Sequence, residues 1–469
     1  MLKVEGYRTT PRERGSYWIY FVGQNMFYAI VNNYLVTYMM MIGIDIGMTA
    51  AVMLAVKIWD AVNDALFGWI FDKVKFKKGK CLPWIRISSV VMPLATIFLF
   101  IIPSAAGQTL KLAWFTIAYL LWDFAYTLCD TPVYSMVTTM TDNAGERNKL
   151  MSVRQIFAGV GMGITGILGT VLVSEDVGMS FGTVSVIVAI GGFITMLPIC
   201  FWGVERGNTG IEEETFTLRE MFRYLRKNKY LLLFFCGVLL YNMLATSNGL
   251  GMFVSYYLFG SSLFNLLLSA IAALPALILA LFIPKILEKI DKYYFYIGCL
   301  VAQIVLSGLL FIIGYGNMVA VIILITLRAL PLSAATITAF MFTPDCAEYG
   351  KFVSGTDARG ITFAIQSFSG KLASAIASSM SMIIIGWFGW ISVNASSFAE
   401  LEALGVTQPQ QALDGLWFTY VLVPAIGQLL ALIPLSFYKL RDKDVRIMIR
   451  CNFGEITREE AEAQLSRKY

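Results

Sequence analysis

Histidine is absent from all 469 residues. That removes imidazole metal ligands, general bases and proton relays, and excludes a zinc-dependent intramembrane protease. No Gly-x-x-x-x-Gly-Lys-[Ser/Thr] occurs either, so the chain has no phosphate-cradling loop of its own for ATP hydrolysis. Any transport work must then be driven by an ion gradient or by a separate ATPase subunit. The seven cysteines occur singly, with no Cys-x-x-Cys pair, which argues against a disulfide framework or zinc site and reads as small buried hydrophobes. Charge is scarce as well, at 14% Asp, Glu, Lys and Arg against about 25% in ordinary soluble domains.

What fills the chain instead is apolar: 57% of residues are hydrophobic, gathered in runs of about 20 or more, the length that spans a bilayer. The spacing of these runs predicts an all-α integral membrane protein of twelve transmembrane helices in a six-plus-six layout. The expected helices lie near 16–42, 47–70, 84–103, 111–140, 152–174 and 181–203, then near 230–258, 263–284, 293–314, 318–343, 359–390 and 413–438. The expected domains are an N-terminal six-helix bundle (1–203), a charged linker (204–229), a C-terminal six-helix bundle (230–438) and a polar tail (439–469). Lys3, Arg8, Arg12 and Arg14 precede the first apolar run, which is too long for a signal-peptide core and reads as an uncleaved span.

Basic residues crowd the N-terminus, the tail and the loops after helices 2, 4, 6, 8 and 10, whereas the opposite loops contribute only Lys111. The positive-inside rule then puts both termini in the cytoplasm of a multi-pass plasma-membrane protein. The net charge of +5 belongs to that face and to anionic lipid headgroups rather than to nucleic acid. A monomer is expected.

Ionisable side chains inside a span cost roughly 2.5–3.5 kcal/mol each on insertion scales and are functional candidates by default. Those in the expected spans are Lys57, Asp60, Asp64, Asp123, Asp130, Arg328 and Lys371, with Arg154 just inside helix 5. Lys57, Asp60 and Asp64 fall on one stripe with Asn63 alongside, because offsets of three and four share a helix face. Two carboxylates one turn apart offer hard oxygens to a monovalent cation and repel each other without one; a structural Lys57–Asp60 bridge is the plainer alternative. On helix 4, Asp123, Thr127, Asp130 and Tyr134 share a face beside Tyr126. Acid, hydroxyl and phenols together suit sugar hydroxyls, or else an interhelical hydrogen-bond network. Helix 11 sets Gln366, Ser367, Lys371, Ser374 and Ser378 on roughly one face. The glycines of helix 5, among them Gly159, Gly161, Gly163 and Gly166, are expected to serve close helix packing. The sequence assigns no role to Arg328 or Asp123.

These residues carry a resemblance. Gly68-Trp-Ile-Phe-Asp72-Lys73 resembles the G-x-x-x-D-[RK] loop between helices 2 and 3 of major facilitator transporters. Lys57-Ile-Trp59-Asp60-Ala-Val-Asn63-Asp64, Lys78-Gly79-Lys80 and Pro83-Trp84 resemble the glycoside–pentoside–hexuronide:cation symporter family. Tyr126-Thr127-Leu-Cys-Asp130-Thr-Pro132, Glu146-Arg147-Asn-Lys-Leu150 with Arg154, Glu348-Tyr349-Gly350 and Gln366-Ser367-Phe368-Ser-Gly-Lys371 resemble it in the same order. The resemblance implies a major facilitator fold and no enzymatic activity or cofactor beyond a coupling cation, Na⁺ or H⁺. It implies cation binding at Asp60, Asn63, Asp64 and Thr127 with Ser367, and sugar binding around Tyr126, Asp130, Tyr134 and Arg154, with Lys371 linking the two. Neutral oxygens from Asn63 and Thr127 favour Na⁺. Gly23-Gln24-Asn25 stands where melibiose-type members carry a sugar-contacting Lys-Asp pair, so Gln24 and Asn25 become substrate candidates, and Tyr134 replaces a tryptophan. Losing that acid leaves Arg154 and Lys371 against Asp130, a balance that favours an anionic sugar. Asp72, Arg147, Asp345 and Glu348 are the expected cytoplasmic gate, with Arg147, Asp345 and Glu348 in loops after helices 4 and 10.

The function that follows is secondary active symport of a glycoside, pentoside or hexuronide, by two bundles alternately exposing a midplane site. A related symporter for an amphiphile such as a lysolipid, or a membrane sugar receptor signalling through the tail, are the alternatives.

Overall fold

The structure, a computed structural model, describes residues 7–74, 76, 79–206, 218–247, 249–355 and 359–469. The described residues are helical throughout, and their one β-feature is an isolated antiparallel bridge between Ile42 and Asn394. The first six helices are α1 (Pro11–Met41), α2 (Ile46–Lys73), α3 (Leu82–Phe100), α4 (Gln108–Met140), α5 (Ala144–Val173) and α6 (Phe181–Trp202). A short amphipathic α7 (Leu218–Lys227) follows, then α8 (Lys229–Met243), α9 (Gly251–Phe259), α10 (Phe264–Leu287), α11 (Lys292–Ile313) and α12 (Met318–Ala339). The remainder is α13 (Phe342–Ser354), α14 (Arg359–Trp387), α15 (Phe398–Ala403), α16 (Gln410–Ser436), α17 (Asp442–Asn452) and α18 (Arg458–Gln464).

Eight of the described helices are long and apolar enough to cross a membrane. Helix α1 is long too, at 31 residues, but Gln24, Asn25, Asn32 and Asn33 interrupt its apolar run. The expected helix 230–258 is broken into α8 and α9. Ser247-Asn248-Gly249 are turn formers inside an apolar run, and Gly249 has φ +80°, a left-handed backbone that favours glycine. Side chains hold the chain on either side of it: Thr246 Oγ1 donates to the Thr419 carbonyl at 2.6 Å, and Thr37 Oγ1 donates to the Gly249 carbonyl at 2.7 Å.

The chain divides into two compact units. One comprises 1–213, 248–266 and 386–412; the other comprises 214–247, 267–385 and 413–469. The first unit therefore holds all of α1–α6 and also takes α9 and α15 from the second half of the chain. Within it, α1 packs on α5 and α6, α3 on α4 and α6, and α2 on α4. The close approach of α5 and α6 to α1 depends on small residues: a methyl group at Gly161 would collide with the Val22 carbonyl, and one at Gly192 with the Phe27 ring. Gly159, Gly163 and Gly166 face open space, so the packing role expected of the α5 glycines narrows to Gly161 and, further along, Gly169 against Tyr34.

One end of the first unit is knotted by a buried carboxylate. Glu146 accepts from the backbone N–H groups of Arg8 (3.0 Å) and Thr9 (3.2 Å) and from the Thr9 and Thr141 hydroxyls. Thr10 caps α1 in a reciprocal box with Glu13, which also pairs with Arg206 at 2.6 Å. Such a cap contributes about 1 kcal/mol. The core of the second unit is aromatic, with Tyr230, Phe234, Tyr296, Phe342 and Tyr438 in mutual contact.

Candidate functional site

The first unit gathers two polar clusters along α4. In the first, the buried Asn63 of α2 donates its amide to Asp123 Oδ2 and to Thr127 Oγ1, each at 3.0 Å, and Thr127 Oγ1 donates to the Asp123 carbonyl at 3.1 Å. Asp123 and Thr127 are 3% and 4% exposed, so a carboxylate sits at the heart of a dry interhelical contact. Asp123 was recognisable in the sequence as a charge inside a span and no more, since its partner lies 60 residues away on another helix. The Asp60 and Asp64 side chains, and that of Asp72, lie outside the described residues.

The second cluster begins one turn further along. Gln24 of α1, 1% exposed, donates Nε2 to Asp130 Oδ1 at 2.5 Å, and its own Oε1 is sealed with no donor. Arg154 of α5 donates Nη1 to the Tyr134 hydroxyl at 2.6 Å, and its guanidinium lies 4.3 Å from the Tyr134 ring and 5.2 Å from Phe21. The Arg154 Nε is buried without an acceptor. Tyr126 stacks on Trp122 with ring centres 5.3 Å apart and leans on Tyr28 at 5.8 Å. Trp122 and Tyr28 extend the aromatic wall beyond the residues picked from sequence. Asn25 turns back onto its own helix, donating to the Phe21 carbonyl at 2.9 Å, so its amide N–H is engaged by backbone. The orphan Gln24 oxygen and Arg154 N–H are groups a hydroxylated, partly anionic solute would satisfy, since a buried polar group without a partner costs roughly 1–3 kcal/mol.

In the second unit, Ser367 is exposed and Lys371 half-buried on α14. Two expectations about the gate change. Arg147 lies in the first turn of α5 rather than in a loop, and donates Nε to the Thr141 carbonyl at 2.7 Å and Nη2 to the Thr138 carbonyl at 3.3 Å. Asp345 and Glu348 lie in α13 rather than in a loop, because the chain resumes helix at Phe342 directly after α12. Asp345 pairs with Lys292, and Glu348 Oε2 accepts from Asn452 at 2.9 Å.

At the end of the first unit where α1 terminates, Lys111 is not a loop charge but a buried cap. Its Nζ donates to the carbonyl of Ile42, the C-cap of α1, at 2.6 Å and to Asn394 Oδ1 at 3.2 Å. A cation there also meets the negative end of the helix dipole. Nearby, Glu175 accepts from the Ser262 N–H at 2.9 Å and from its hydroxyl at 2.6 Å. Burial pushes the Glu175 carboxyl up, but hydrogen bonds from Ser261 and Ser262 outweigh it and hold it below the usual range.

A family model described as "MFS/sugar transport protein" matches residues 16–442. The chain is 23% identical to the isoprimeverose transporter of Lactiplantibacillus pentosus, with 91% of this chain and 88% of that protein covered. It is 22% identical to the glucuronide carrier protein homolog of Escherichia coli (strain K12), with 87% of each covered. Its fold is similar to the crystal structure of the nucleoside transporter NupG, at TM-score 0.66 and 14% identity over 92% of this chain and all of that one.

Proposed function

The chain belongs to the MFS/sugar transport protein family, and from that premise we propose that it imports a glycoside, pentoside or hexuronide together with Na⁺ or H⁺. It is a transporter, not an enzyme. The observation that carries this reading is the pair of clusters on α4, with Asn63, Asp123 and Thr127 in one and Gln24, Asp130, Tyr134 and Arg154 in the other. Thr127 and Asp130 are three residues apart, about 4.5 Å along a helix axis. A cation drawn to the first cluster changes the field at the second, which is the physical content of coupling.

We propose twelve spans with both termini cytoplasmic, and a cation site at Asp60, Asn63, Asp64 and Thr127 that includes Asp123. To ligate a cation, Asn63 would present its amide oxygen in place of the N–H groups it now gives to Asp123 and Thr127. Gln24, Tyr126, Asp130, Tyr134 and Arg154 are proposed for the sugar, with Ser367 kept as a cation ligand and Lys371 as a sugar ligand. Energetics are adequate. One charge gains about 2.3 kcal/mol per 100 mV, and a tenfold cation gradient adds about 1.4 kcal/mol. Together they support a several-hundredfold gradient of a neutral sugar.

The test is sugar-dependent cation uptake in sealed vesicles, with Na⁺ and H⁺ gradients imposed separately. Uptake of a sugar above its equilibrium level, abolished by collapsing one of the two gradients, is expected. Equilibration that ignores both gradients would overturn symport.

A further inference from the structure

Arg328 sits at the middle of α12, with about ten residues of helix on either side, so its charge lies far from both ends of a helix long and apolar enough to span. Its place on the helix is the inward stripe, one turn from the buried Ile325 and two from the buried Val321 and Ala335. A guanidinium stays protonated at any physiological pH and carries five N–H donors. Here Nη1 is sealed from solvent with no acceptor, and none of the described residues accepts a hydrogen bond from this side chain. The ionisable groups that act on it are two phenols, Tyr241 of α8 and Tyr420 of α16. Beside Tyr241 is Gln428, whose Nε2 donates to Gln303 Oε1 at 2.7 Å and whose Oε1 is buried with no donor. Arg328 therefore stands beside a polar network that is itself short of a donor, and which supplies no acceptor to the guanidinium among the described residues.

Away from their ends, α8, α10, α11, α12 and α14 carry Arg328 and Lys371 and no carboxylate. Acids lie in α16, where Asp414 near the start accepts from the Tyr315 hydroxyl at 3.0 Å, and in α13, which continues the span from α12 and where Asp345 pairs with Lys292 and Glu348 accepts from Asn452. A buried charge persists when something pairs with it for at least part of the working cycle. Arg328 as a whole is half-buried, so part of the residue remains open beside α12. We infer that Arg328 is the charge-reading group of a subsite in the second unit that binds a carboxylate on the transported solute, with the Tyr241 and Tyr420 hydroxyls flanking it. One guanidinium presents a fork that matches one carboxylate in geometry and charge; a phosphate dianion would leave a charge uncompensated beside two phenols. The inference rests on the sugar-transport reading above and adds to it the chemistry of the substrate and the residue that selects it.

The experiment pairs neutral methyl glycosides with their C6 acids: methyl glucoside with methyl glucuronide, and methyl galactoside with methyl galacturonide. Each is assayed as competitor and as substrate in vesicles containing wild type, Arg328→Gln or Arg328→Lys. Binding to the purified protein is followed in parallel by protection against thermal unfolding. In wild type, one acid is expected to bind at least tenfold tighter than its neutral partner. Arg328→Gln removes that preference and leaves the neutral partner within about twofold. Arg328→Lys keeps the charge but loses the fork, and should fall between, so a variant that fails to fold does not decide the outcome alone. A neutral glycoside transported and preferred by wild type, or equal loss of acid and neutral sugar in a folded Arg328 variant, would overturn the subsite while leaving sugar symport intact. If no sugar of either kind is bound or moved, the sugar-transport reading falls, and the subsite with it.

Discussion

Asp123 and Asp130 occupy the same face of one helix two turns apart, yet the structure surrounds them differently. The buried Asp123 carboxylate accepts from the Asn63 amide; Asp130 accepts from Gln24. Their amide variants should separate accordingly. Asp130→Asn keeps the shape but weakens a charge-assisted acceptor, a change of roughly 1.5–3 kcal/mol, so sugar affinity should drop about tenfold to a hundredfold while cation binding persists. Asp123→Asn should do the reverse, and calorimetry on both variants with Na⁺ and with sugar reads the split directly. Cation binding unchanged in Asp123→Asn would leave the site to Asp60 and Asp64. At this scale, legibility tracked locality. Lys57, Asp60, Asn63 and Asp64 declare themselves within two turns of one helix, and Tyr126, Thr127 and Asp130 within about one. Asp123 and Arg328 could be seen as expensive charges but not assigned, because what surrounds them comes from other helices at separations no local pattern encodes.

Among the elements, apolar length made the spans visible, while breaks and caps were read less well. The division at 244–250 was signalled by Ser247-Asn248-Gly249 but overridden by the apolar residues on both sides. Lys111 counted as a stray loop charge because burial is invisible in sequence; in the fold it ties α4 to the C-cap of α1 and to Asn394. With the Glu175–Ser262 contact, it joins α1–α6 to segments from the second half of the chain at one end of the first unit. Contacts specific to one state bias its population when removed. Lys111→Met and Glu175→Gln should therefore raise the labelling rate of a cysteine placed at Ser104 or Ser396 by a membrane-impermeant reagent, severalfold in the double variant. An unchanged rate would mean these bonds persist through the cycle. The tail behaves as an element of its own. Asp444 of α17 accepts from the Ser466 N–H at 2.9 Å and from the hydroxyls of Ser466 and Tyr469, both at 2.5 Å. Burial opposes its ionisation, but these bonds hold the carboxyl below its ordinary value. A depressed folded pKa means the contribution is complete above the unfolded value of about 3.9 and fades as pH falls through the lower, folded one. Hydrogen exchange over 458–469 should thus stay protected down to about pH 4 and rise below it, whereas Asp444→Asn should lose part of that protection at neutral pH.

For the whole molecule, symport requires that the two clusters on α4 report to each other. Because binding free energies are linked, the factor by which Na⁺ or H⁺ raises sugar affinity must equal the factor by which sugar raises cation affinity. A ratio of about tenfold, worth about 1.4 kcal/mol, should appear in both titrations of wild type and vanish in both for Asp123→Asn; a one-sided effect would mean the clusters do not communicate through binding.

The interrupted α8–α9 span also changes how the protein meets its lipid. A helix of 15 residues is about 22 Å long, short of the roughly 30 Å hydrocarbon thickness, whereas the unbroken helix expected over 230–258 would have overshot it. A rigid rod answers a thickness mismatch by tilting and carries its neighbours with it. A short rod that ends in non-helical backbone leaves the mismatch to the residues at its end, here 244–247. Membrane thickness thus becomes a mechanical input concentrated on residues 244–247, and turnover in vesicles of short and long acyl chains should differ even when the ion gradients are the same.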